Sequence, residues 1–176
     1  MLSGHMISLA LSFVLFAAPT PLEQAKAAVN PFKKTLKETL FKALETSPDA
    51  AIDVCSKRAP ELAKEASSAT VTVGRSAFKL RNPANAPKPW LEKAMTELAK
   101  EKSGTETHRL VTLPDGTVGY AEPIWLAPPC LVCHGKTIAP SLDAKLKTTY
   151  PNDAARGFEA GDFRGVFWAE VKPQKP

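Results

Sequence analysis

A chain of 176 residues has the length of one domain with room for a leader. Its apolar fraction of 44% supports a buried core, which sets aside a disordered chain and a disulfide-stapled miniprotein. The net charge of +5 is dispersed: Lys33, Lys34, Lys37 and Lys42 are interleaved with acidic and apolar residues as on a solvated helix face, and no dense basic run with aromatics speaks for nucleic acid.

Residues 7–18 (ISLALSFVLFAA) form an apolar run too short to span a bilayer and suited to the h-region of a signal peptide. Ala25-Lys26-Ala27 offers a small-x-small cleavage site, so residues 1–27 are expected to be a signal peptide and residues 28–176 the mature domain. The segment before the run carries His5 but no Lys or Arg, and an uncleaved membrane anchor is the alternative. Either way the domain is expected in an oxidising, extracytoplasmic compartment, the periplasm in a bacterium.

Asn30 before Pro31 predicts a helix cap with proline at the first helical position, and Phe32, Leu36, Leu40 and Leu44 continue one apolar face to about Thr46. Ser47-Pro48 repeats the signal for a second helix, with Ile52, Cys55, Ala59, Leu62 and Ala66 on its inner stripe. Pro60 should kink that helix just past Cys55, because it lacks the N–H the ladder needs. Residues 70–73 (TVTV) read as a short strand ending at Gly74. The irregular stretch 75–89 is of a length that is usually functional or packed over something. Residues 90–102 predict a third helix with Leu91, Ala94, Met95 and Leu98 inward. Residues 107–113 and 117–126 flank Pro114-Asp115-Gly116 as the strands of a hairpin. Ser141 can cap a short helix over residues 142–147; a loop with Gly157, Gly161 and Gly165 follows, and residues 166–171 close the chain as an alternating strand. Helices first and a strand meander afterwards predict an α+β domain built on an antiparallel sheet.

Between the last two strands stands Cys130-Leu131-Val132-Cys133-His134. Two thiols three apart lie on one side of a single turn, and the histidine beside the second can reach beneath whatever the thiols hold. That is the requirement for c-type haem: two thioethers to the porphyrin and one imidazole to the iron. A thioredoxin-like dithiol would open a helix in a βαβ unit, and a zinc site would need a second ligand pair. The sequence has neither, so one covalent haem c is expected on Cys130 and Cys133, with His134 as the proximal iron ligand.

The other axial position has few candidates. Met95 sits at an apolar helical position and reads as core, while His108 lies beside charged Glu106 and Arg109 and reads as surface. Cys55 is the third cysteine, left over once Cys130 and Cys133 are engaged; it is inward on its helix. Spacing alone leaves it open whether Cys55 is a ligand or a small buried hydrophobe. Arg75, Lys79 and Arg81 cluster in the long loop and are candidates to pair with the haem propionates.

Residues 51–55 (AIDVC) with Ala59-Pro60, residues 74–90 (GRSAFKLRNPANAPKPW), CLVCHG at 130–135 and the loop from Tyr150-Pro151 to Gly165 resemble a family of exported c-type haem domains, long catalogued as a domain of unknown function. The likeness spans residues 30–172. It implies a PAS-like antiparallel sheet flanked by helices, and a haem held by His134 and by a cysteine that corresponds to Cys55. It also implies a sensor of redox state or of a diatomic gas. No kinase or cyclase segment follows within this sequence, so a separate signalling or redox partner protein is expected. A thiolate ligand would lower the potential of the iron. The alternative is a simple electron-transfer cytochrome serving an acidic partner. With Cys55 on the iron no position is left for substrate, and no enzyme is expected.

Overall fold

The computed structural model describes residues 18–173. Its first element, α1 (Pro21–Thr46), starts ten residues earlier than the Asn30-Pro31 signal predicts. Thr20 accepts the Glu23 amide while the Glu23 carboxylate accepts the Thr20 amide at 2.7 Å, a reciprocal box that satisfies two free donors at the helix start. Pro31 therefore lies inside the helix, where a proline costs about 3 kcal/mol. The stripe Ala25, Val29, Phe32 and Leu36, buried against the sheet, outweighs that cost. Ala25 and Val29 are both fully buried, so the expected cleavage segment at residues 25–27 lies within this packed helix. The apolar run at 7–18 falls outside the described residues. Among the described residues no helix is long and apolar enough to cross a membrane.

Ser47 caps α2 (Pro48–Asp53) as expected, accepting the Ala50 amide at 3.1 Å. The helix then passes through a π-helical turn (Val54–Arg58), where the Ala59 amide donates to the Val54 carbonyl, before resuming as α3 (Ala59–Glu65). Pro60 is the physical cause: without an N–H it cannot continue the α ladder, and the extra residue is absorbed one turn upstream, at Cys55. The structure has this π-turn at the place where the sequence predicts a kink.

The sheet comprises β1 (Val71–Ser76), β2 (Arg109–Thr112), β3 (Val118–Trp125) and β4 (Phe163–Val171), all antiparallel in the order β1-β4-β3-β2. It is a meander only from β2 to β4; β1 adds on outside β4. Period-two alternation divides the strands between two layers. Tyr120, Phe167, Ala169 and Val171 face α1 and α3, whereas Ala121 and Val166 face α4 (Pro89–Leu98). Leu91, Ala94, Met95 and Leu98 fill that second layer, as their spacing predicts. The α+β architecture with helices about an antiparallel sheet is thus the one expected. The long connection from β3 to β4 holds α5 (Leu131–His134) and α6 (Pro140–Thr149). Pro140 opens α6 with Ala139 at its cap, so Ser141 is in the first turn and makes no capping bond, contrary to expectation.

Candidate functional site

The Cys130–His134 segment follows β3 directly. Pro128 and Pro129 fix the backbone of a 3₁₀ turn (Pro128–Cys130), which runs into the single turn of α5. One turn of helix is not stable alone. Its support comes from the loop before β4: the Phe158 amide donates to the His134 carbonyl at 3.0 Å and the Gly157 amide to the Gly135 carbonyl at 3.1 Å.

Arg81 completes that support. Its guanidinium donates to both carboxylate oxygens of Asp153 at 3.1 and 3.0 Å, to the Cys133 carbonyl at 2.6 Å and to the Ala155 carbonyl at 3.2 Å. The side chains of Arg81 and Asp153 are only 8% and 2% exposed. Burial raises the Asp153 carboxyl, but its bonds to Arg81 outweigh this and hold it below the usual range. Arg81 is thus the fastening between the 75–89 loop, the cysteine turn and the 153–155 segment.

His134 Nδ1 lies 2.7 Å from the Ala155 carbonyl. A carbonyl can only accept, so Nδ1 carries the proton and Nε2 keeps its lone pair, which fixes the tautomer as in metal-bound imidazoles. Burial, with repulsion from Arg81 and Arg164, holds the ring's pKa down to about 3. The imidazole is neutral, as an iron ligand must be.

His134, Cys130 and Cys133 open onto one cleft lined mainly by apolar side chains. The lower half of the α1 stripe (Leu40, Phe41 and Leu44) forms an apolar wall, and Ile124 and Leu126 form another. Cys55, half-buried in the π-turn, lines the same cleft. A single space therefore holds two thiols, a neutral imidazole and a third thiol, between apolar walls. This donor set and shape fit a haem.

The other predicted residues divide. Arg75 lines the cleft. Arg81 reaches it, but its guanidinium is committed to Asp153 and two carbonyls. Lys79 is directed elsewhere: its ammonium donates to the Arg156 carbonyl at 2.7 Å and stands 4.5 Å over the Phe158 ring. Met95 is fully buried in the α4 layer, and His108 stacks on Tyr120 with ring centroids 5.5 Å apart; neither lines the cleft. Sequence reasoning missed Arg164, Asp153 and the Ala155 carbonyl. Arg164 stood in a glycine-punctuated loop and Asp153 in an Asn-Asp turn, so neither carried a local signal.

The profile of a family described as Tll0287-like matches residues 13–171. Among solved structures, the crystal structure of the cyanobacterial heme-protein Tll0287 aligns at a TM-score of 0.62 and 28% identity, covering 84% of this chain and 93% of that one. No curated protein matches the chain.

Proposed function

The chain belongs to the Tll0287-like family, and from that membership and the cleft we propose that it is an exported haem c domain that senses redox state or a diatomic gas. A solved relative described as a heme-protein supports the haem itself. Cys130 and Cys133 are assigned to the two thioethers, His134 to the proximal iron position and Cys55 to the distal one. A haem held there would supply one-electron iron chemistry with a thiolate-lowered potential. The observation that carries the reading is the convergence of Cys55, Cys130, Cys133 and His134 on one cleft from segments far apart in the chain.

The chain's own residues do the rest. The Ala155 carbonyl holds the proton of His134 Nδ1 and so orients Nε2. Leu40, Phe41, Leu44, Ile124 and Leu126 line the cleft and would exclude water from a haem held there. Cys55 stands in a π-turn between α2 and α3, so its engagement or release would act on the turn that joins these two helices. Among the described residues no carboxylate lines the cleft, and no acid–base catalytic step is assigned. The compartment is the periplasm, and the signal passes to a separate partner protein.

One observation favours the alternative of plain electron transfer. Val132, between the two cysteines, is 44% exposed, so the attachment turn is open to a docking redox protein. The test is expression with a haem-maturation system, followed by oxidised absorption and low-temperature EPR of the wild type and Cys55→Ala. A low-spin signal with narrow g-spread that disappears in the variant is expected. A spectrum indifferent to Cys55 would return that residue to the apolar wall and leave the electron carrier as the reading. Absence of covalent haem would sink both.

A further inference from the structure

The sequence contains six arginines, and the structure treats them unequally. Four close ion pairs: Arg58 with Glu61 and Glu65, Arg81 with Asp153, Arg109 with Glu97 and Glu101, and Arg156 with Asp143 and Asp153. The other two, Arg75 on β1 and Arg164 on β4, have no carboxylate partner among the described residues, and both line the cleft. Arg164 gives one N–H to the Lys79 carbonyl at 3.1 Å. Arg75 has no side-chain hydrogen bond among the described residues.

A desolvated guanidinium without a counter-ion costs free energy, and two beside each other cost more. Burial holds Arg75 below the usual arginine range. Burial first, then repulsion from Arg81 and Arg75, brings Arg164 down to about 10. Among the described residues the cleft supplies no carboxylate to answer them. Every other arginine in the fold has been given one.

We propose that Arg75 and Arg164 form a two-point clamp for the paired carboxylates on the edge of a dianionic tetrapyrrole, an inference that rests on the haem reading above. The planar N–H fork of each guanidinium matches a carboxylate, and the two clamps orient the ring in the cleft independently of the thioether bonds. Arg81 is excluded because Asp153 already answers its charge, with Nε and Nη2 engaged by that carboxylate and two carbonyls, and Lys79 because it points to Arg156 and Phe158. β1 thus contributes one clamp residue, at the head of the stretch that sequence patterning singles out, and β4 the other.

The experiment uses the full chain produced without haem-maturation enzymes, titrated with haemin and with haemin dimethyl ester, whose two carboxylates are capped. Absorption reports binding in both cases. Haemin is expected to bind at least about tenfold more tightly than the diester, the order of one charge-assisted hydrogen bond. Arg75→Gln and Arg164→Gln should each weaken haemin by about tenfold and leave the diester unchanged. In the ligand-free chain the same substitutions should leave the thermal midpoint unchanged or raise it, because each removes a half-buried charge that no carboxylate answers. Equal binding of haemin and diester by the wild type would overturn the clamp and leave the haem reading standing. Failure of both to bind would overturn both. A lower midpoint in the ligand-free variants would assign these arginines to the fold and overturn the clamp.

Discussion

Asp153→Asn tests how the cleft is held together. The Asp153 carboxylate takes two N–H bonds from Arg81, one from the Ala155 amide at 2.9 Å and one from Arg156 Nε at 2.9 Å. The amide has the same shape, no charge and one acceptor fewer, so Arg81, 8% exposed, is left as a buried cation held only by carbonyls. Removing one partner from a buried pair costs about 3–5 kcal/mol, against a typical total of about 5–15. At a urea slope of about 2 kcal/mol per molar, the unfolding midpoint should fall by roughly 1.5–2.5 M with the slope unchanged. The acid limb provides a second reading. The folded pKa of Asp153 is lowered, so its contribution is complete above the unfolded value of about 3.9 and is lost as pH falls through the folded one. Wild type should therefore shed stability below about pH 4 more steeply than Asp153→Asn. A midpoint shift worth less than about 1 kcal/mol, or identical acid limbs, would show that Asp153 does not hold Arg81 and that the fastening of the cysteine turn lies elsewhere.

Gly165, at φ +153°, crosses the sheet where a Cβ would overlap the Ser76 carbonyl oxygen. Gly165→Ala should cost more than about 2 kcal/mol in denaturant unfolding and should disturb Arg164 next to it, so haemin binding is expected to weaken as well. A chain beginning at Ala28 loses the Thr20–Glu23 box, half-buried Leu22 and fully buried Ala25, and should be less stable than one beginning at Thr20 by about 2–4 kcal/mol. By the same reasoning any leader removed on the export proposed above should end at or before Thr20, which intact mass spectrometry decides; a first residue at Ala28 would contradict it. His134→Ala should abolish the low-spin spectrum of the loaded chain while the far-UV circular dichroism stays unchanged; loss of the fold instead would mean that the Ala155 contact, not the iron, is what His134 serves.

What could be read from the sequence was what depends on neighbours along the chain. The cysteine turn, the Asp115-Gly116 hairpin and the inward face of α4 are all set within a few residues, and each is found where the spacing puts it. The Cys55 stripe was legible for the same reason, and Pro60 foretold a disturbance there, though not that it would be a π-turn. The start of α1 was misread because Asn30-Pro31 mimics a cap, while the decisive term, burial of Ala25 and Val29 on a sheet whose strands begin some forty residues later, is tertiary. Sheet order was hidden likewise, since β1 finds its partner in the last strand.

The basic residues show where such reading must stop, and why. Arg75, Lys79 and Arg81 are close neighbours in the sequence, yet one faces the cleft without a counter-ion among the described residues, one donates to a loop carbonyl and one has its charge answered by Asp153. Which cation is free depends on where the carboxylates end up. Asp153 is 72 residues from Arg81, and the Arg156 carbonyl is 77 from Lys79. A guanidinium that the fold has already neutralised cannot serve a ligand without exposing its partner, at several kcal/mol. One that the fold has left unanswered gains from binding what the other would lose. The residues able to act on a ligand are therefore identified by subtraction, after every internal ion pair has been assigned. In this cleft that subtraction leaves Arg75 and Arg164.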